Sequence, residues 1–411
     1  MNLLLTLSAK LALNFHAPTI RWRQALAALG VLSTVVSFPA TGADIQAFVL
    51  NRPAGLAERP VPISISGFSG EVDSALKFDL TIAGFTNVAA EQTAILVSGS
   101  NNGSVQGKVT DRINQAVLLS KAYSGGSLRA QAHALADDIV QLLQHHPGVA
   151  QTKIAFKVVN GGSSEIYLAD YDGHNPVALT QDHSIVAAPS WVPGKRILYY
   201  TSYKLNNPDI YSHNLTTGER KIVARYTGLN TSAAVSPDGR QVAMILSKGG
   251  SPDVYVSDLE GGNLRQLTHT KEDESSPCWS PDSRTICFVS RLRGKAELYT
   301  VPAGGGAMTR LPTVGAGSVT EPDWSPDGKT LIFTVTRGAG FELATVPAKG
   351  GQVETLVAGE DPTWAPNSRT VVFARRLGGG RRGLSLLDVP TKQVKNIVQL
   401  SGSVSQPSWA R

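Results

Sequence analysis

Trp324-Ser-Pro-Asp-Gly328 decides the fold, because variants of it return at a nearly constant step. They are Ser190-Trp-Val-Pro-Gly194, Val235-Ser-Pro-Asp-Gly239, Trp279-Ser-Pro-Asp-Ser283 and Trp364-Ala-Pro-Asn-Ser368. The phrase encodes a tight turn. Pro presets φ, Asp or Asn folds its side chain onto nearby backbone, and Gly allows positive φ. A short apolar strand follows each time: Ile197–Tyr200, Val242–Ile245, Ile286–Val289, Leu331–Thr334 and Val371–Ala374. A second strand phrase comes next, such as Asp253-Val-Tyr-Val-Ser-Asp258 or Glu297-Leu-Tyr-Thr-Val301. A Gly-rich turn and one more short strand end the unit. Four short strands joined by turns make one blade of a β-propeller.

One position per unit counts the blades: Phe156, Tyr199, Met244, Phe288, Phe333 and Phe373, with steps of 43, 45, 44, 45 and 40 residues. Six blades follow. The first unit lacks its Trp phrase and opens at the strand Lys153–Phe156, while the chain ends on Gln406-Pro-Ser-Trp-Ala-Arg411. That ending matches Glu321-Pro-Asp-Trp-Ser-Pro326. The C-terminal strand is therefore expected to complete the first blade and close the ring, leaving no free sheet edge. The fold class is mainly β: a six-bladed propeller over 151–411, preceded by a small α/β domain over 44–150.

In that front region Val61–Ile65, Ala94–Val97, Ser104–Val109 and Gln115–Ser120 are patterned as strands. Ser74–Ala83 fits helix or strand. Leu128–Leu143 is helical, with apolar residues spaced near 3.6, and His145-His146-Pro147-Gly148 stops it. Residues 1–43 are expected to be a signal peptide. Arg21 and Arg23 precede the uncharged stretch 24–43, which ends on the small residues Thr41 and Ala43. Cleavage is expected between Ala43 and Asp44. The rival is an uncleaved anchor, against which Pro39 argues.

Composition limits the function classes. The formal net charge is +6, of which Lys10, Arg21 and Arg23 belong to the leader. The remaining excess is small and dispersed, so no nucleic-acid stripe is expected. No Gly-x-Ser-x-Gly elbow and no phosphate loop occurs, and no run of alternating acids could hold calcium. His133 and Asp137 are one helical turn apart, as metal ligands can be, but no third ligand has a helpful spacing. The better reading of this pair is a His–Asp hydrogen bond pinning the helix to the propeller. No catalytic residue, metal or cofactor is expected. Cys278 and Cys287 flank the turn 281–284, and a register pairing Trp279 with Ile286 sets them opposite each other. An oxidising compartment then permits either a bridge or two buried thiols.

Leu128-Arg-Ala-Gln-Ala-His-Ala-Leu-Ala-Asp-Asp-Ile139, running on to Gly148 and Thr152-Lys-Ile-Ala-Phe156, resembles the junction of the TolB family. TolB is the periplasmic component of the Tol-Pal system. The resemblance covers 44–411. It implies a monomeric, non-catalytic periplasmic scaffold that binds the lipoprotein Pal and the inner-membrane protein TolA, for outer-membrane integrity and constriction at division. It places the TolA segment at the freed N-terminus, here Asp44, Ile45, Gln46, Ala47, Phe48, Val49 and Leu50. The Pal surface is expected at one channel mouth, on the loops entering each innermost strand. These are His183 and Ser184, Asn230 and Thr231, Glu274 and Ser275, Thr320 and Glu321, Glu360 and Asp361, and Ser405 and Gln406. The competing class is a secreted propeller enzyme, a lyase or hydrolase acting on a saccharide or peptide at that mouth.

Overall fold

The computed structural model describes residues 57–397 and 401–411. The expected leader and TolA segment lie outside them.

The α/β region is a five-stranded sheet covered by two helices. Its elements are β1 (Val61–Ser66), α1 (Gly70–Ile82), β2 (Phe85–Asn87), β3 (Ile95–Ser100), β4 (Val105–Asp111), β5 (Ala116–Tyr123) and α2 (Leu128–Gln144). The order is β2-β1-β3-β4-β5, with β1 parallel to both neighbours and the rest antiparallel. The ambiguous stretch 74–83 is helix, because Val72, Ala75, Leu76, Leu80 and Ile82 bury one stripe. The three-residue strand β2 carries too little pattern to be legible in sequence. Ser127 caps α2 by accepting from the Ala130 amide at 3.1 Å. His145 ends the helix in the left-handed region at φ 59°.

Six four-stranded antiparallel sheets follow among the described residues. The innermost strands are Ser403–Trp409, Val186–Trp191, Asn230–Val235, Glu274–Trp279, Val319–Trp324 and Glu360–Trp364, for blades 1 to 6. As expected, the C-terminal strand pairs with Lys153–Asn160 and completes blade 1. Trp409 is buried there, its indole donating to Thr152 Oγ1 at 2.8 Å. One position in the blade count needs correcting. Trp191 pairs with Leu198, as Trp279 pairs with Ile286, so the equivalent of Phe288 in blade 2 is Tyr200 rather than Tyr199.

The turn phrase works as its chemistry requires. Ser236 Oγ donates to Asp238 Oδ1 at 2.6 Å, and the amides of Arg240 and Gln241 donate to Asp238 Oδ1 and Ser236 Oγ. Ser280–Asp282 and Ser325–Asp327 repeat the pattern. In the blade 6 turn Ala365 has no hydroxyl, and Asn367 Oδ1 alone accepts from Arg369 and Thr370. Apolar layers such as Cys287, Leu298, Leu331 and Phe333 glue each blade to the next.

The α/β region and the propeller form one compact unit. The core of the former continues into Tyr171, Leu386 and Trp409 of blades 1 and 6. Gly84 meets the propeller closely: it sits at φ +87°, and a Cβ there would lie 2.2 Å from the Arg369 guanidinium. The Glu58 amide donates to Pro390 O at 2.7 Å. These partners lie on the face that carries the Ser-Pro-Asp turns, so among the described residues the α/β region leaves the opposite face of the propeller open.

Candidate functional site

The six innermost strands line a central channel of about 550 Å³. Each of them breaks register once, at Ala188-Pro189, Ser232-Ala233, Ser276-Pro277, Glu321-Pro322, Asp361-Pro362 and Gln406-Pro407. The first residue of every pair has φ between 50° and 55°. Left-handed non-glycine residues are uncommon, and six at one position make a designed ring of bulges. All six bulge residues line the channel. The ring is lopsided. Blades 2 to 4 present Ala188, Ser232 and Ser276; blades 5, 6 and 1 present Glu321, Asp361 and Gln406.

The long side chains tie blade to blade. Glu321 Oε2 accepts from the Asp361 amide at 2.9 Å and from Thr334 Oγ1 at 2.7 Å. Asp361 Oδ2 accepts from the Gln406 amide at 2.9 Å, and Gln406 Oε1 from the Ala188 amide at 3.1 Å. Ala188, Ser232 and Ser276 precede the Ser232, Ser276 and Glu321 amides around the ring and are too short to do the same. Enclosure by the channel wall, then the charge of Glu321, pushes the Asp361 carboxyl up to about 8.

This geometry sorts the expected Pal-facing residues. Glu321, Asp361 and Gln406 face the channel. Thr231, Ser275 and Thr320 immediately precede ring residues and are half-buried. His183 is exposed and Ser184 half-buried, five and four residues ahead of Ala188. Asn230, Glu274, Glu360 and Ser405 are buried. Asn230 accepts from the Tyr226 amide and donates to the carbonyls of Pro208 and Tyr226. Glu274 accepts from Ser290 and Thr270. Glu360 is paired with Arg382. In blades 2 to 4 the channel position is thus Ala188, Ser232 and Ser276, which sequence reasoning missed. The signal available was the proline two residues before each Trp, present in five of the six blades.

A second polar cluster joins the α/β region to blade 1. His133 Nδ1 lies 2.7 Å from Asp79 Oδ2, and its Nε2 lies 3.4 Å from Asp172 Oδ2. Arg129 pairs with Asp172 through Nε at 3.0 Å. The Tyr171 hydroxyl donates to Asp79. Burial would lower the His133 pKa, but the hydrogen bonds and charges of Asp172 and Asp79 outweigh it and raise it to about 10. Asp172 is held below the usual carboxylate range despite burial, by His133 and Arg129. The expected His–Asp pin therefore exists, but its acids are Asp79 and Asp172. Asp137 instead accepts from the Ala150 and Gln151 amides and holds the junction.

Cys278 and Cys287 stand opposite each other in the expected register, as buried free thiols. No group of three or more His, Cys, Asp or Glu residues suited to a metal occurs among the described residues. Nor is any helix among them long and apolar enough to cross a membrane.

The solved TolB of Acinetobacter baumannii is similar to this chain, with a TM-score of 0.78 and 25% identity over 87% of this chain and 98% of that one. The Tol-Pal system protein TolB of Francisella tularensis subsp. mediasiatica (strain FSC147) is 33% identical over 159 residues, 36% of this chain and 37% of the relative. That of Alcanivorax borkumensis is 35% identical over 146 residues, 34% of each chain. The chain thus spans about a third of the length of these curated relatives. A family model described as the TolB beta propeller domain matches residues 140–411, and with the closed six-bladed ring already established, this chain belongs to that family.

Proposed function

We propose that this chain is a non-catalytic periplasmic component of the Tol-Pal system, with domains at 44–150 and 151–411 behind a signal peptide over 1–43. It binds Pal at the open channel mouth and TolA through Asp44–Leu50, supporting outer-membrane integrity and constriction at division. The observation that carries the reading is the ring of bulges, set in a channel lined by residues of all six blades. A pair of carboxylates with one proton is also what hydrolases use. Here, however, Glu321 Oε2 and Asp361 Oδ2 are occupied by blade-to-blade bonds, and among the described residues the lining contains no His, Tyr or Lys. That arrangement suits recognition better than turnover.

The test is capture of purified Pal and TolA by the mature chain. Gln406→Ala and Ser276→Ala together remove two polar groups facing the channel. They should weaken Pal binding about thirtyfold, since each hydrogen bond contributes about 1 kcal/mol. Deleting Asp44–Leu50 should abolish TolA capture and spare Pal capture. Unchanged Pal affinity in the double variant would move the interface away from the channel.

A further inference from the structure

The ring of bulges is satisfied on one side of the channel and open on the other. Each bulge residue has φ between 50° and 55° and sits at the same break in its innermost strand, so the six bulge amides are equivalent. Three bonds show where such an amide points: at the bulge side chain of the blade before it. The Asp361 amide donates to Glu321 Oε2 at 2.9 Å, the Gln406 amide to Asp361 Oδ2 at 2.9 Å and the Ala188 amide to Gln406 Oε1 at 3.1 Å. The amides of Ser232, Ser276 and Glu321 instead follow Ala188, Ser232 and Ser276. Ala188 has no side-chain oxygen. A Ser hydroxyl is attached directly to Cβ, too close to the backbone to span the gap that Asp, Glu and Gln cross. Among the described residues no side chain accepts from these three amides, although all three residues line the channel.

The three belong to consecutive blades, 3 to 5, so one half of the wall offers backbone donors while the other half is already paired. A guest that fills the channel strips water from these donors and must replace it with acceptors. A carboxylate is a poor replacement. Glu321 and Asp361 already set acidic groups in the wall, and Asp323 stands there paired with Arg411. Between protein walls a further negative charge beside Glu321 is repelled more strongly than in water. An aliphatic side chain leaves the donors bare. A main-chain carbonyl accepts but brings no donor for the Ser232 and Ser276 hydroxyls. A carboxamide meets every demand: it is neutral, its oxygen accepts, and its NH2 group donates to the hydroxyls. Gln406 makes the same pairing within the ring, at the Ala188 amide.

We propose that the blade 3 to 5 half of the channel is a carboxamide subsite, in which Asn or Gln side chains of an inserted partner loop accept from the Ser232, Ser276 and Glu321 amides. It rests on the Pal reading for the identity of the guest, and on the ring alone for the chemistry of the site.

Amide hydrogen exchange, followed residue by residue by NMR, tests the site before any guest is added. In the mature chain the Ser232, Ser276 and Glu321 amides should exchange at least about tenfold faster than those of Ala188, Asp361 and Gln406. Six equally slow amides would overturn the proposal. Ser276→Gln should supply from blade 4 the acceptor that Gln406 supplies from blade 1, and slow the Glu321 amide about tenfold at an unchanged unfolding midpoint. Ser232→Gln makes the same test at the Ser276 amide if Ser276→Gln does not fold. End-capped Gly-Gln-Gly, Gly-Glu-Gly and Gly-Ala-Gly at millimolar concentration then probe the guest chemistry. The Gln peptide should shift the three amide resonances most at neutral pH; equal shifts from all three peptides, or none from the Gln peptide, would overturn the carboxamide assignment. Saturation with Pal should protect the three amides about tenfold. Pal bound without that protection would overturn the inference and leave the Pal reading standing. Shifts with the Gln peptide but no Pal binding would overturn the Pal reading and support the subsite.

Discussion

The Asp361 amide donates to the Glu321 carboxylate at 2.9 Å, so two acids of adjacent blades are locked together in the channel wall. Folding therefore raises the Asp361 carboxyl from its ordinary 3.8 to about 8. Enclosure is the larger cause, and Glu321 and Glu360 add to it. Two cations act on the same group: Lys157, itself lowered by burial, and Arg382. A carboxyl raised on folding holds its proton better in the native state. Its effect on stability is neutral below pH 3.8 and becomes unfavourable as pH rises from there towards 8. Asp361→Asn should therefore flatten the stability profile over that window and leave the variant relatively more stable near pH 8. Urea unfolding at intervals of pH measures this; parallel profiles for parent and variant would refute it.

His133 predicts an opposite allocation of charge at the other end of the propeller. It is a cation held between Asp79 and Asp172, with its pKa raised from 6.5 to about 10. The stabilisation is complete below pH 6.5 and is lost as pH rises through 10. His133→Leu leaves Asp79 and Asp172 buried without that partner. Breaking a buried pair in this way costs about 3–5 kcal/mol. Thermal unfolding at pH 7 should show the loss, and the gap to the parent should narrow towards pH 10. Proteolysis should cut first at the junction around 145–152, where α2 gives way to the first propeller strand.

The propeller was legible because its turn chemistry repeats. Ser, Pro, Asp and Gly each have a backbone task, so the phrase survives in sequence as it does in space. The channel ring was only half legible. In blades 5, 6 and 1 a charged or amide side chain marks the bulge, whereas in blades 2 to 4 Ala188, Ser232 and Ser276 carry no chemical label. Their hydrophilic neighbours Asn230 and Glu274 do carry a label, but they are polar because they satisfy buried loop backbone and hydroxyls. The His133 cluster was legible as a pin but not in its partners. Asp79 and Asp172 lie 54 and 39 residues away, and helical spacing can propose only Asp137.

Asn230 should accordingly behave as a folding residue. It is fully buried, accepts from the Tyr226 amide at 2.9 Å and donates to Pro208 O at 3.0 Å and Tyr226 O at 2.8 Å. Asn230→Ala leaves these groups unpaired, at a cost of about 1–3 kcal/mol. The folding transition should move by that amount while Pal affinity per folded molecule stays unchanged. A variant of unaltered stability but weakened Pal binding would instead put Asn230 in the interface.

The last prediction concerns Cys278 and Cys287, paired directly across the hairpin. Both are buried, and the Cys278 thiol is pushed well above its ordinary range, first by its hydrogen bond with Cys287 and then by burial. The thiolate is the reactive form, so Cys278 should be nearly inert in the folded chain even though it contributes to the channel lining. A small thiol reagent at pH 8 should label neither residue over minutes. Unfolding without reductant should then expose two thiols per chain. If unfolding yields none, the pair is bridged in the protein as isolated. Cys278→Ser separates stability from redox state. It puts a hydroxyl at a buried site facing Cys287, and should cost about 1–3 kcal/mol unless it hydrogen-bonds. The loss should be the same with and without reductant. A loss seen only without reductant would mean that a disulfide had been supplying the stability.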